Sequence, residues 1–158
     1  MPDLELVLQR LIEYDVRFVL VGGYAAVVHG VTCFTQDTDV CCAFTPINLK
    51  RLYNAVRDLH PVHRMTPARL PFEQPQIRRA GLKNLYLSTD LGQLDCLGEI
   101  AGIGNYAAVT KCSVRFRLPF GICRVLTLDG LIRAKQAMDR PRDREVLLQL
   151  RAIREKDH

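Results

Sequence analysis

VRFVLVGGYAAVVHGVTCFTQDTDVCCAF, residues 16–44, reads as strand, glycine turn, short helix, strand. The first strand, Arg17 to Val21, is β-branched and aromatic. It runs into Gly22-Gly23, where missing Cβ atoms let an anion approach the backbone closely. A helix opening there would turn its unpaired N–H groups and positive dipole end toward that anion, so the junction is a candidate triphosphate seat.

The second strand opens with Asp37-Thr38-Asp39 and continues apolar through Phe44. Strand side chains alternate faces, so Asp37 and Asp39 project to the same side. Two ionised carboxylates so placed repel unless a cation sits between them. Hard oxygen donors suit Mg²⁺, or Mn²⁺ in its place, and an ion held by few carboxylates keeps positions open for substrate phosphates. The alternative for such a pair is two solvated acids at a strand edge.

Gly22-Gly23, then 13 residues, then Asp37-x-Asp39 and an apolar run resembles the signature of the nucleotidyltransferase superfamily, the DNA polymerase beta-like fold. The fuller wording, Gly-Gly-Tyr-Ala-Ala-Val-Val-His-Gly followed by Thr35-x-Asp37-x-Asp39, is similar to small bacterial nucleotidyltransferases that include toxin-antitoxin nucleotidyltransferase toxins. The resemblance implies that Asp37 and Asp39 bind Mg²⁺ and that a third acid on a later strand completes the site. It also implies that Thr35 belongs, with Gly22 and Gly23, to the nucleotide-binding part. Such sequences often carry Arg where this chain has Cys33, which removes one positive contact to phosphate or partner.

The chain's 158 residues suit one domain, with a core over about 1–110 and a basic part over about 111–158. From Lys111 onward there are twelve Lys or Arg against six acids, and before it ten against eleven. That split places an acidic metal site and a candidate polyanion-binding region in different parts of the chain, unless the arginines simply decorate solvated helix faces. No apolar run is long enough to span a bilayer and no signal peptide precedes the acidic start, so a cytoplasmic protein without a membrane partner is expected. Adjacent Cys41 and Cys42, Cys96 in an apolar strand, and the lack of any Cys-x-x-Cys pair point to reduced core cysteines.

Leu4, Leu8, Leu11 and Ile12 recur at helical spacing over 3–14. Thr45-Pro46 opens a second helix that ends near His60-Pro61. Four prolines between 61 and 75 argue for an ordered loop around Arg64 and Arg69 that borders the site. His60 and His63 read as surface residues rather than ligands or bases. Residues 85–89, the Asp90-Leu91-Gly92 turn and 93–97 form a hairpin. Asp95 lies in its second arm between Leu94 and Cys96, where a carboxylate needs a cation or solvent. By resemblance it is the third carboxylate; Asp90 is the rival, although Asp-Leu-Gly is turn chemistry.

Strands at 114–118 and 122–126 precede a helix capped by Thr127, and Pro141 starts another with Val146, Leu147, Leu150 and Ile153 inward. Leu-Ile-x-x-Lys135 followed by Arg140-Pro-Arg142-Asp143 is similar to the C-terminal helices of the same small nucleotidyltransferases. Lys135, on an otherwise apolar helix face, either contacts the triphosphate or pairs with Asp143 or a site aspartate.

The expectation is thus an α/β fold with a small mixed β-sheet flanked by helices and a two-metal nucleotidyl-transfer site. Gly22, Gly23, Thr35 and Lys135 would hold an NTP, while Asp37, Asp39 and Asp95 would serve as metal ligands and catalytic acids. Arg115, Arg117, Arg140, Arg142 and Arg144 suit RNA as acceptor, and the resembling enzymes often modify tRNA ends. Protein AMP transfer, or a nucleotide-binding or antitoxin-like partner protein without turnover, are the alternatives.

Overall fold

In the computed structural model the described residues are 2–73 and 82–157. Helix α1 (Leu4–Glu13) starts where the Asp3 carboxylate accepts the Leu6 N–H, and it buries Val7, Leu8 and Leu11. Strand β1 (Phe18–Val21) is buried along its whole length and passes directly into α2 (Gly22–Val28). Strand β2 (Asp37–Cys42) is followed by α3 (Pro46–Val56), whose N-cap Thr45 accepts from the Asn48 N–H. The proline-rich segment contributes a two-residue strand, β3 (Val62–His63), bridged at Val62 to Pro71. Its prolines keep it at the sheet edge, where a missing N–H costs nothing. Gln74 and Pro75, the end of that expected loop, lie outside the described residues.

The hairpin forms as β4 (Asn84–Thr89) and β5 (Gly92–Leu97). Short strands β6 (Glu99–Ile100) and β7 (Gly104–Asn105) lead to α4 (Tyr106–Lys111). A second hairpin, β8 (Ser113–Leu118) and β9 (Gly121–Leu126), precedes α5 (Leu128–Met138), a 3-10 turn at Pro141–Asp143 and α6 (Arg144–Lys156). The seven-stranded sheet has the order β3-β4-β5-β2-β1-β9-β8. It is mixed: β1 runs antiparallel to β2 and parallel to β9, while β2 runs parallel to β5. The α/β class, the flanking helices and the C-terminal helices are therefore as the sequence suggests.

Register assigns the faces. Val21 pairs with Asp39 and Val19 with Cys41, so these four side chains share one face. Arg124, abreast of Val19 across the parallel β1–β9 pair, lies on it too, as does Asp95 abreast of Asp39. Leu20, Val40 and Cys96 point the other way into the core, together with Leu8, Leu11 and Leu52. All six cysteines are free thiols. Among the described residues no helix is long and apolar enough to cross a membrane.

Candidate functional site

The β1–α2 junction brings backbone and carboxylate into contact. Gly22 has φ +72°, in the left-handed region, and a Cβ there would stand 2.9 Å from the Asp39 Cβ and closer still to its carboxylate. Only glycine allows that approach. Gly23 packs against Thr35, whose Oγ1 donates to the Asp37 carbonyl at 3.2 Å and so secures the start of β2. Cys33 approaches the Gly23 carbonyl, with its Sγ 3.9 Å away.

Asp39 and Asp95 occupy paired positions on adjacent parallel strands, with Asp37 one step back on the same face. Burial pushes the Asp39 carboxyl up to about 6, and the neighbouring Asp95 and Asp37 charges add to the rise, against relief from Lys135 and Arg64. Three carboxylates thus meet in a half-desolvated space with too little positive charge for Asp39 to ionise at its ordinary value.

Asp95 is held by Arg64, which reaches in from the proline-rich segment. Its Nη1 donates to Oδ1, and its Nη2 to Oδ2 at 2.9 Å, a two-pronged pair with both side chains mostly buried. The guanidinium also lies over the Tyr86 ring, 5.4 Å from its centroid. Arg64 was legible as a residue bordering the site, but Tyr86 was missed. The hairpin register carried the signal, because a turn closing on Thr89 and Gly92 sets Tyr86 opposite Asp95. Asp90 sits at that turn, pairs with the exposed His60 at 2.7 Å, and does not line the cleft that holds Asp37, Asp39 and Asp95.

Lys135 makes the expected ion pair with Asp143 and stands in the cleft with the aspartates. Its Nζ donates to Asp143 Oδ1 at 2.9 Å, yet its charge also acts on Asp39 and its side chain lines the same cleft. Arg140 grips Asp143 as well, with Nε 2.6 Å from Oδ2. Burial alone would raise the Asp143 carboxyl, but hydrogen bonds from Arg140 and Lys135 outweigh it and hold it below its usual value. The whole cleft, about 640 Å³, is lined by Gly22, the three aspartates, Arg64, Tyr86 and, from the far wall, Lys135, Arg140 and Arg142.

Among the described residues no group of three or more His, Cys, Asp or Glu side chains stands in an arrangement that could hold a metal ion. The donor set nevertheless fits a magnesium–triphosphate complex, because Mg²⁺ needs only one or two carboxylates when phosphates and water supply the rest. Asp37 and Asp39, on one face of β2, would be those two.

No protein-family model matches the chain, and no curated protein matches its sequence. Among solved structures the fold is similar to that of ANT(2")-Ia in complex with adenylyl-2"-tobramycin, with a TM-score of 0.53 and 14% identity over 98% of this chain and 96% of that one. The likeness places the chain among proteins with the nucleotidyltransferase-like fold. It says nothing of toxin-antitoxin membership in particular.

Proposed function

We propose that the protein is a divalent-metal-dependent nucleotidyltransferase that moves an NMP from an NTP to an acceptor hydroxyl, with pyrophosphate leaving. The observation that carries this reading is Asp39: it is half-buried, pressed against the Gly22 backbone, abreast of Asp95, and short of positive charge. A structural carboxylate would be expected to carry its own counter-ion. Mg²⁺ or Mn²⁺ held by Asp37 and Asp39 would supply charge neutralisation on the triphosphate oxygens.

The chain's own residues would do the rest. Backbone N–H groups at Gly22-Gly23 would receive phosphate oxygens, with the Gly23 turn braced by Thr35. Lys135 and Arg142, on the opposite wall, would hold the outer phosphates against the site. Asp95 would accept the acceptor's hydroxyl proton once Arg64 turns from it toward a phosphate.

For the acceptor we favour RNA, because the chain from Lys111 onward carries twelve Lys or Arg against six acids, a balance that suits a phosphate backbone. A nucleotide-binding protein without turnover is the second reading, favoured by the Arg64–Asp95 pair, which leaves the third acid engaged. The decisive experiment incubates the protein with each α-labelled NTP, Mg²⁺ or Mn²⁺, and total RNA, cell lysate or tobramycin as separate acceptor arms. Label on RNA that disappears with Asp39→Asn supports the reading. Label on protein alone makes it an AMP-transferase, and nucleotide binding with no label in any arm establishes the second reading.

A further inference from the structure

At the other end of β1 from Gly22, four arginines converge on a cleft of about 550 Å³. Arg115 and Arg124 are direct cross-strand partners in the β8–β9 hairpin, so their side chains leave the sheet on one face, side by side. Arg17 immediately precedes β1, two residues before Val19, which is abreast of Arg124. Arg51 enters from α3, with its Nη1 donating to the Asp15 carbonyl at 3.3 Å.

These guanidiniums lack compensation. Arg124 donates to the Ser113 hydroxyl at 3.2 Å, but none of the four makes an ion pair among the described residues, whereas Arg10, Arg64, Arg140 and Arg154 each have an aspartate. Among the described residues Asp15 is the single carboxylate lining the cleft, against four cations. Like charges set directly opposite across a strand pair destabilise a sheet, and a guanidinium stays ionised at any working pH. All four cations are Arg, the side chain whose planar fork matches phosphate oxygens two at a time, and Tyr106 at the start of α4 adds an aromatic ring to the wall.

Register relates this cleft to the carboxylates. Arg124 lies on the same sheet face as Val19, Val21 and Asp39, and the four residue steps from Arg17 to Val21 span roughly 13 Å at the usual strand rise. Val19 and Cys41, between the arginines and the acids, are buried, so a polyanion gripped at the arginines would reach the acids only by passing around the covered part of the sheet. The arginine cleft does not suit the triphosphate, whose seat is at Gly22.

We propose that Arg17, Arg51, Arg115 and Arg124 form a second anion site that grips the phosphodiester backbone of a nucleic-acid acceptor at a distance from the point of transfer. This rests on the nucleotidyl-transfer reading for its acceptor, though not for the binding itself. It also redistributes the basic residues: Arg115 works with two arginines from the first half of the chain, and apart from Arg140 and Arg142, which belong to the other cleft.

The test is fluorescence anisotropy of a labelled single-stranded RNA dodecamer, without NTP or metal, between 50 and 300 mM salt. Wild type, Arg115→Ala/Arg124→Ala and Arg17→Ala/Arg51→Ala are compared, with circular dichroism confirming that each is folded. Each double variant should bind at least tenfold more weakly at 100 mM salt, and its log–log salt slope should shrink by about 1.4, roughly 0.7 per lost phosphate contact on a single strand. Both variants binding with wild-type affinity and slope would overturn the proposal. So would wild type that ignores RNA but is stabilised by tripolyphosphate to an extent that both double variants lose, which would make the cleft a small-anion site. Pyrophosphate release from NTP, followed in parallel, separates the two readings. RNA affinity lost with the arginines while no NTP is turned over leaves the cleft standing and the enzyme reading fallen; the reverse pattern overturns the cleft alone.

Discussion

Asp39 and Arg64 carry most of the chemistry that one residue can carry here. Asp39 titrates in the fold near 6 rather than at its ordinary 3.8. Between those values the native state keeps a proton that the unfolded chain has released, so stability falls as pH rises through about 4 to 6 and stays at the lower level above it. Urea unfolding at a series of pH values should show that fall in the wild type and a flatter profile in Asp39→Asn. Parallel profiles would mean that the carboxyl is not perturbed. Arg64 holds Asp95 in a position where a cation would otherwise be favoured. Arg64→Ala should therefore raise Mn²⁺ affinity without nucleotide by about tenfold, since an opposing charge a few Å away is worth at least ~1 kcal/mol in a partly screened site. Free Mn²⁺ followed by electron paramagnetic resonance checks this, and unchanged affinity would show that the guanidinium does not compete with a cation for Asp95.

The aspartates were legible because strand periodicity is exact: Asp37-x-Asp39 can only share a face, and the glycine turn before them sets which end of the sheet they occupy. The partnership of Arg64 with Asp95 was not legible. It depends on how a segment with prolines at 61, 67 and 71 folds back along the sheet edge, which no local pattern encodes. Nor could spacing decide the role of Lys135.

At the scale of elements, the amphipathic helices and both hairpins followed from periodicity and turn chemistry, while β3, β6 and β7, at two residues each, are too short to leave a period. The junction between α5 and α6 is less ordinary. Asp143 ends the 3-10 turn with its side chain only 7% exposed and receives both Lys135 and Arg140, so one carboxylate fastens the C-terminal end of α5 to the start of α6. Removing it leaves two cations without a partner, one of them, Lys135, mostly buried. Asp143→Ala should cost about 3 kcal/mol, the lower end of the range for breaking a buried pair, since Arg140 is partly solvated. The wild type should also lose this contribution as pH falls through the lowered Asp143 value, because protonation undoes the same bonds. Chemical denaturation of the variant reads the first effect. A change below 1 kcal/mol would show that α5 and α6 are held by their apolar faces alone.

Across the whole molecule the charge is laid out in two places. The carboxylates stand at the β1–α2 end with Lys135 and Arg142 facing them, and the four-arginine cleft lies at the opposite end of the same strand. The sequence's division at residue 111 caught the excess of cations but not their grouping, because β9 carries Arg124 in beside a strand from the first half of the chain. If the acidic end binds a metal–nucleotide complex, it binds the folded state only, and folding is stabilised by mass action. At a hundredfold excess over Kd that amounts to about 2.7 kcal/mol. For a domain of this size each kcal/mol moves Tm by about 2–4 °C, so Mg²⁺ with NTP should raise Tm by roughly 5–10 °C. Mg²⁺ alone should give less, because two carboxylates without phosphates make a weak site. Asp37→Asn/Asp39→Asn should abolish the shift. A wild-type Tm that stays fixed through millimolar Mg²⁺, Mn²⁺ and every NTP would remove the nucleotide from this site. A shift that survives the double substitution would instead move nucleotide binding away from the aspartates.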